Sequence, residues 1–158
     1  MKAGWQTSTL GEMCEMYQPK TISGKEMVAD GEYPVFGANG IIGHYDRFNH
    51  EDPQLLITCR GATCGSVNIS APKSWITGNA MVVRPKNGSV DMRFLEYLFR
   101  GGIDIGKAIT GAAQPQITRT NLAPLQICFP TSLPEQRRIV GILDELTNEV
   151  ERLESIYQ

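Results

Sequence analysis

Ser132-Leu133-Pro134-Glu135-Gln136-Arg137-Arg138-Ile139-Val140-Gly141-Ile142-Leu143-Asp144-Glu145-Leu146-Thr147-Asn148-Glu149-Val150-Glu151-Arg152-Leu153-Glu154-Ser155-Ile156-Tyr157 reads as one continuous helix. Ser132 and Glu135 stand at capping-box spacing, and Pro134 suits a first turn, where no amide donor is required. No proline follows, and Gly141 is the one glycine. Ile139, Leu143, Leu146, Val150, Leu153 and Tyr157 recur at spacings of 4, 3, 4, 3 and 4. They form a heptad seam with Leu143, Val150 and Tyr157 at a and Ile139, Leu146 and Leu153 at d. A helix over 134–157 would be roughly 36 Å long at 1.5 Å per residue. Val140, Ile142 and Ile156 widen the apolar face, so packing back onto the chain's own domain is one reading. Dimerisation through a partner helix is the other, and the position of the seam after a complete-looking domain favours it.

Upstream, the composition changes near Pro130. Residues 1–130 hold 15 of the 16 glycines, and 12 Lys and Arg against 11 Asp and Glu; residues 131–158 hold 3 against 6. The chain has 158 residues, 41% of them hydrophobic and 20% charged, a globular balance that suits one domain plus an appended element. No apolar run nears the roughly 18 residues a membrane span needs, and the first residues lack a signal-peptide core. The chain is therefore expected to be soluble and cytoplasmic, with no membrane partner. The net charge of -2 argues against a generic basic nucleic-acid coat and leaves room for one basic face.

Short Val- and Ile-rich runs lie between turns: Tyr33-Pro34-Val35-Phe36, Leu55-Leu56-Ile57-Thr58, Ser66-Val67-Asn68-Ile69 and Ala80-Met81-Val82-Val83. Their length and composition predict strands. Gly37, Gly40, Gly43, Gly61, Gly65 and Gly78 mark the turns or bulges between them. Thr9 and Glu12 at capping-box spacing predict a helix from Thr9 to about Tyr17. Asp91 is a good N-cap for a second helix, with Phe94, Leu95, Leu98 and Phe99 on one face and Gly101-Gly102 at its end. The expected fold is α+β: a domain over 1–130 with a mixed, twisted or barrel-like β-sheet and a few short helices, then a long coiled-coil helix over 131–158.

Catalytic chemistry finds little support. Gly101-Gly102-Ile103-Asp104-Ile105-Gly106-Lys107-Ala108 approximates a phosphate loop, but Ala108 stands where a magnesium-binding Ser or Thr is required, and a helix is predicted where a strand should precede. No nucleophile elbow or zinc-protease helix occurs, nor an acidic-acidic-lysine nuclease cluster, nor the Asn-Pro-Pro type signature of amino-methyltransferases. His44, in Gly43-His44-Tyr45-Asp46, reads as a strand end and not as a triad base. Cys14, Cys59, Cys64 and Cys128 have no metal-ligand spacing; Cys59 and Cys128 read as small buried apolar residues of a reduced protein. No catalytic residue, metal or cofactor is expected, which favours a binding protein over an enzyme.

Four segments together carry a family resemblance. They are Trp5 through Leu10-Gly11-Glu12; Tyr33-Pro34-Val35-Phe36-Gly37-Ala38-Asn39-Gly40-Ile41-Ile42-Gly43; Leu56-Ile57-Thr58-Cys59-Arg60-Gly61-Ala62-Thr63-Cys64-Gly65; and Leu133-Pro134-Glu135-Gln136-Arg137-Arg138-Ile139. In this order the chain resembles a DNA specificity (S) subunit of type I restriction-modification systems, as one target recognition domain followed by one conserved spacer helix. The resemblance implies sequence-specific DNA recognition without catalysis. It also implies modification methyltransferase subunits and a restriction (helicase-nuclease) subunit as partners, which themselves use S-adenosylmethionine and ATP. The family usually carries two such units, whose helices pair antiparallel as a ruler across a bipartite site. A single unit implies a half-subunit that homodimerises, or a piece of a longer chain. A recognition domain of a fused restriction-methylation enzyme and a protein-interaction module without DNA are the alternatives.

Base reading needs Asn, Gln or Arg side chains at the surface, with cations on the flanking phosphates. Ser70 to Asn79 offers Lys73, Trp75, Thr77 and Asn79; Thr110 to Arg119 offers Gln114, Gln116 and Arg119 without an adjacent carboxylate. Lys20, Lys25, Arg60, Arg84, Lys86 and Lys107 are candidate phosphate contacts. Each has a structural alternative: Trp75 in the core, Arg60 bracing its Gly-rich turn, the glutamines capping strands. With so little positive charge in excess, the isolated unit is expected to bind DNA weakly, because the phosphate contribution scales with the number of phosphates neutralised.

Overall fold

The computed structural model describes residues 2–158. The two most apolar segments set its centre. β5 (Leu55–Thr58) is buried at every position and β8 (Ala80–Pro85) at its first four. A strand buried on both faces reads as a continuous apolar run, and both faces are indeed covered. Leu55, Ile57, Met81 and Val83 belong to a main core with Leu10, Phe94, Leu95, Ile127 and Phe129. Leu56, Ala80 and Val82 turn the other way, onto Phe36 and Ile76.

Around this pair, β2 (Cys14–Tyr17) and β6 (Val67–Ile69) complete an antiparallel four-stranded sheet in the order β2-β8-β5-β6. A second sheet joins β3 (Tyr33–Gly37) to β4 (Gly40–Tyr45) antiparallel and to β7 (Trp75–Ile76) parallel. β1 (Trp5–Thr9) and β11 (Gln126–Pro130) form a ribbon in which Trp5 faces Pro130. β9 (Ile109–Thr110) and β10 (Gln116–Ile117) form a short hairpin. The strands thus divide among open sheets within a mixed α+β fold.

Helix positions follow local chemistry, with one correction. The predicted helix from Thr9 to Tyr17 is only a single turn, α1 (Leu10–Met13). Its capping box is real, and hydrogen bonds from Ser8 and Thr9 hold the Glu12 carboxyl below the usual carboxylate range. From Cys14 onward the burial alternates, with Cys14 and Met16 inward and Glu15 outward. That period of two belongs to a strand, and β2 pairs with β8 from Cys14–Pro85 to Tyr17–Val82. α2 (Met92–Tyr97) starts at Asp91, whose carboxylate accepts from the Arg93 and Phe94 amides, and runs into a π-helical turn over Leu98–Gly102. A 3-10 turn over Ile105–Ala108 occupies the rest of the phosphate-loop look-alike, and α3 (Arg119–Leu122) follows β10.

α4 spans Leu133–Ile156, capped by Ser132 as the sequence predicts. Its base is locked by Gln136, whose side chain is fully buried. The Gln136 amide donates to the Ser89 carbonyl at 3.0 Å and the Pro130 carbonyl at 2.8 Å, and its oxygen accepts from the Asp91 amide at 2.7 Å. Val140 is buried and Ile139 packs against the main core. Leu143 lines an apolar groove of about 480 Å³ with Trp5, Phe94, Tyr97, Leu98 and Ile139. Farther out the seam is bare: Leu146, Val150, Leu153 and Tyr157 are 57%, 53%, 41% and 86% exposed. The seam is therefore divided, its first two positions serving the chain's own domain and its last four facing solvent.

The cysteines also divide. Cys59 is buried as expected, and burial pushes its thiol up to about 11 and that of Cys14 to about 12. Cys128 is exposed, contrary to expectation, because β11 alternates and sends Ile127 and Phe129 inward.

Candidate nucleic-acid interface

Four loops meet at one end of the two sheets. They are the β3–β4 turn, the loop after β5, the β7–β8 turn and the β9–β10 hairpin. Backbone bonds join them: the Cys59 amide donates to the Asn79 carbonyl at 3.2 Å, Gly61 to Pro115 at 3.0 Å, and Ile117 to Cys59 at 2.8 Å. Arg60 and Gln116 form an isolated antiparallel bridge. The Thr58 hydroxyl donates to the Ala38 carbonyl at 2.5 Å, and the Thr63 hydroxyl to Asn39 Oδ1 at 2.8 Å. Gly61, at φ +86°, takes the chain away from Arg60 in a conformation that side chains rarely adopt. Gly78 is held between the Gln18 amide, which donates to its carbonyl at 2.8 Å, and Thr21 Oγ1, which accepts from its N–H at 3.0 Å. A Cβ on Gly78 would stand 2.7 Å from the Pro19 carbonyl oxygen. These loops are braced by one another.

The sequence candidates fall into three groups. Arg60, Asn79, Gln114 and Gln116 are exposed and share this end, and Arg119, at the start of α3, lies just past β10. Lys20 borders the group: its carbonyl accepts from Trp75 Nε1 at 3.3 Å, next to the Gln18–Gly78 contact. Lys73 and Lys86 lie elsewhere. Lys73 precedes β7, at the opposite end of β3, and its amide donates to the Glu51 carbonyl. Lys86 follows β8, seven residues or roughly 23 Å along an extended strand from Asn79, where its ammonium donates to the Gly11 carbonyl at 2.8 Å. Thr77 requires correction as a surface contact. It is 1% exposed, with its hydroxyl buried and without a protein partner among the described residues. The alternation of β7 turns Ile76 inward, and the bond from the Thr77 amide to the Phe36 carbonyl keeps the following residue inside as well. Trp75 is half-buried, its ring edge-on to Tyr45 with centroids 5.2 Å apart.

Sequence reading missed Asn39, Thr63 and Gln18, which bind the loops together. The turn Gly37-Ala38-Asn39-Gly40 was a local signal for Asn39; Thr63 and Gln18 had none. Sequence reading noted the missing carboxylates only beside Gln114, Gln116 and Arg119, and the pattern is wider. There is no Asp or Glu between Glu32 and Asp46, between Asp52 and Asp91, or between Asp104 and Glu135. All four converging loops come from these three carboxylate-free stretches. Neither Arg60 nor Arg119 is engaged in an ion pair among the described residues. The four loops themselves therefore present cations, amides and hydroxyls and no carboxylate, although the chain as a whole is slightly acidic. No group of three or more His, Cys, Asp or Glu poised for a metal occurs among the described residues, and no helix there is long and apolar enough to cross a membrane.

Residues 2–158 match the family described as type I restriction modification DNA specificity domain, and the chain belongs to that family. It is 32% identical over 158 aligned positions to the type I restriction enzyme EcoprrI specificity subunit of Escherichia coli, covering 93% of this chain and 38% of that one. Its fold is that of the S subunit of a type I restriction-modification system from M. genitalium (TM-score 0.78, 19% identity, 96% of this chain and 41% of the other). The HsdS subunit from Thermoanaerobacter tengcongensis is similar as well (TM-score 0.73, 22% identity, 99% and 40%). The chain thus spans about two fifths of the length of these relatives.

Proposed function

We propose that this chain is a DNA-reading unit of a type I restriction-modification complex. Residues 1–130 recognise half of a two-part site, and residues 131–158 act as the spacer that holds a second reader at a fixed distance. The unit carries no catalytic residue and no cofactor of its own. The methyltransferase and restriction subunits that assemble on it in the cytoplasm do the chemistry. The convergence of four mutually braced, carboxylate-free loops carrying Arg60, Asn79, Gln114 and Gln116, in a chain of this family, is the observation that supports this most. Amides and guanidinium groups are the side chains that read base edges in pairs of hydrogen bonds, each worth about 1–3 kcal/mol of discrimination. Arg119 and Lys20 at the margin suit flanking phosphates. The bare half of the α4 seam supports pairing with a second copy.

The test is co-expression with the methyltransferase subunits of the same system, followed by mapping of methylated bases across a host genome. Gln116→Ala, Asn79→Ala and Arg60→Ala should each relax or abolish the methylated motif, while Lys86→Ala, whose ammonium is bound to Gly11 far from the loops, should leave it intact. Unchanged motifs and rates in all three loop variants would refute the assignment of this surface. Isolated, the unit should bind duplex DNA weakly at physiological salt, since it brings few phosphate contacts. Tight, sequence-selective binding by the lone chain would contradict that.

A further inference from the structure

The β3–β4 hairpin leaves two isoleucines in water: Ile41 is 58% exposed and Ile42 is 53% exposed. The register explains how. Val35 pairs with Gly43 and Phe36 with Ile41, so Ile42 is the extra residue of a β-bulge. A bulge bends its strand and re-aims the side chains beside it. β4 is also the edge of its sheet. Ile42 lies over Gly37, its Cγ2 2.8 Å from where a Cβ on Gly37 would stand. Ile42 is thus seated on the hairpin, and Ile41 is the more open of the two. The hairpin tip is joined to the candidate interface, because Ala38 and Asn39 accept hydrogen bonds from Thr58 and Thr63, which flank Arg60.

We propose that Ile41 is a specificity-determining residue that reads the C5-methyl group of a thymine in the major groove. This rests on the assignment of the adjoining loops to DNA. Thymine alone among the four bases presents a methyl group there, and apolar side chains are what detect it, whereas the amides and guanidinium of the neighbouring loops suit the polar edges. A protein partner fits less well. Stable protein interfaces bury about 800 Å² on each side, far beyond two side chains, and loops that carry Arg60 and no carboxylate of their own match the positively charged, polar make-up of DNA-binding surfaces.

The experiment uses the complex with its methyltransferase subunits and duplexes of the mapped target. Each thymine is replaced in turn by deoxyuridine, which removes the methyl group alone. At one position deoxyuridine should weaken binding roughly fourfold, the value of one buried methyl group. Ile41→Ala should weaken binding to the thymine duplex by a similar or larger factor and be indifferent to deoxyuridine at that position, while Ile41→Val retains the discrimination. Equal losses for Ile41→Ala on both duplexes, as expected of a wedge that unstacks any base step, would overturn the proposal, as would no loss at all or a target without thymine. Unchanged melting of Ile41→Ala, expected for an exposed edge residue, excludes misfolding as the cause. Should the parent complex show no sequence-selective binding, the functional assignment itself fails, whatever Ile41 does.

Discussion

Arg93 donates from Nη2 to Asp144 Oδ1 at 2.7 Å, joining the first turn of α2 to the middle of α4. Tyr97 donates its hydroxyl to the same oxygen at 2.5 Å. Glu96, with a side chain only 7% exposed, lies between Arg93 and Arg100 and binds both. These contacts set the angle at which α4 leaves the domain. Arg93 and Asp144 are both about half exposed, so solvent screens the pair and its coupling should be small, about 0.5–1 kcal/mol. A double-mutant cycle with Arg93→Ala and Asp144→Ala, followed by urea unfolding, measures it. A coupling of zero would mean that Gln136, Tyr97 and the apolar contacts of Ile139 and Val140 fix the helix without this ion pair.

Gln136 should matter far more. Replacing it with Ala strands the Asp91 amide and the Ser89 and Pro130 carbonyls, all of which it satisfies from a fully buried position. Each orphaned group costs about 1–3 kcal/mol, so a loss of about 3 kcal/mol or more is expected, together with a fall in Tm of roughly 6–12 °C. Gln136→Glu should be equally harmful, because it places a carboxylate oxygen against two carbonyl oxygens. A variant that melts within a degree of the parent would contradict this account of the helix base.

His50 makes stability depend on pH. Its Nε2 accepts from the Tyr17 hydroxyl at 2.7 Å, the Tyr17 oxygen accepts from Arg84, and Nδ1 donates to Asn49 Oδ1 at 2.6 Å. Protonation would set an N–H against the Tyr17 hydroxyl and a second cation near Arg84. Burial first, and Arg84 second, hold the His50 pKa below its ordinary value of 6.5. A lowered folded pKa means that the unfolded chain binds the proton more readily. The contribution is therefore fully present above 6.5 and is lost as pH falls through the lowered folded value. Glu51, Asp52 and Glu15 are the nearby carboxylates. Urea midpoints should fall between pH 7.5 and pH 5, with a shallower fall in His50→Gln. Identical slopes in the two proteins would remove His50 as the cause.

The packed base of α4 and its bare distal seam should respond differently. Val140→Ala empties a core position and should cost about 2 kcal/mol. Leu146→Glu changes an exposed residue and should alter unfolding by no more than about 0.5 kcal/mol, yet dissociate a dimer built on the seam. Sedimentation of the parent and of Leu146→Glu reads this directly. A parent that sediments as a monomer at high concentration would leave the distal seam to some other partner.

The buried Thr77 hydroxyl offers a gain. Thr77→Val keeps the shape and removes an oxygen that has no protein partner among the described residues. Removing an unsatisfied buried group recovers up to about 1 kcal/mol, visible as a higher Tm. A drop would mean that the hydroxyl is satisfied by water.

The helix bounds of α4, the strands β3, β5, β6 and β8, and the Asp91 cap were legible because each is written in neighbouring residues: a cap, a period, a turn. The length of α1 was not, since Thr9 and Glu12 announce a start and only the alternation of Cys14 to Tyr17, paired with β8, announces the stop. Gln136 stood out in a motif, but its purpose depends on Ser89 and Pro130, distant or beyond the helix. Arg60, Asn79 and Gln116 were individually recognisable as side chains able to read bases. Their assembly rests on bonds such as Gly61 to Pro115 and Thr63 to Asn39, which no local pattern encodes. Thr77, just after β7, and Cys128, in the middle of β11, were misplaced because in or beside a strand a shift of one residue exchanges inside for outside.

β1 lies beside β11, and the Thr131 amide donates to the Gly4 carbonyl at 2.9 Å. The polypeptide therefore comes into the globular part and goes out of it at a single spot, at the root of α4. Everything from Leu10 to Leu125 hangs from that spot like a cassette on a clip. Loops far from α4, such as those around Arg60 and Gln116, can be rewritten while the contacts of Gln136 and Asp144 that seat the stem stay as they were.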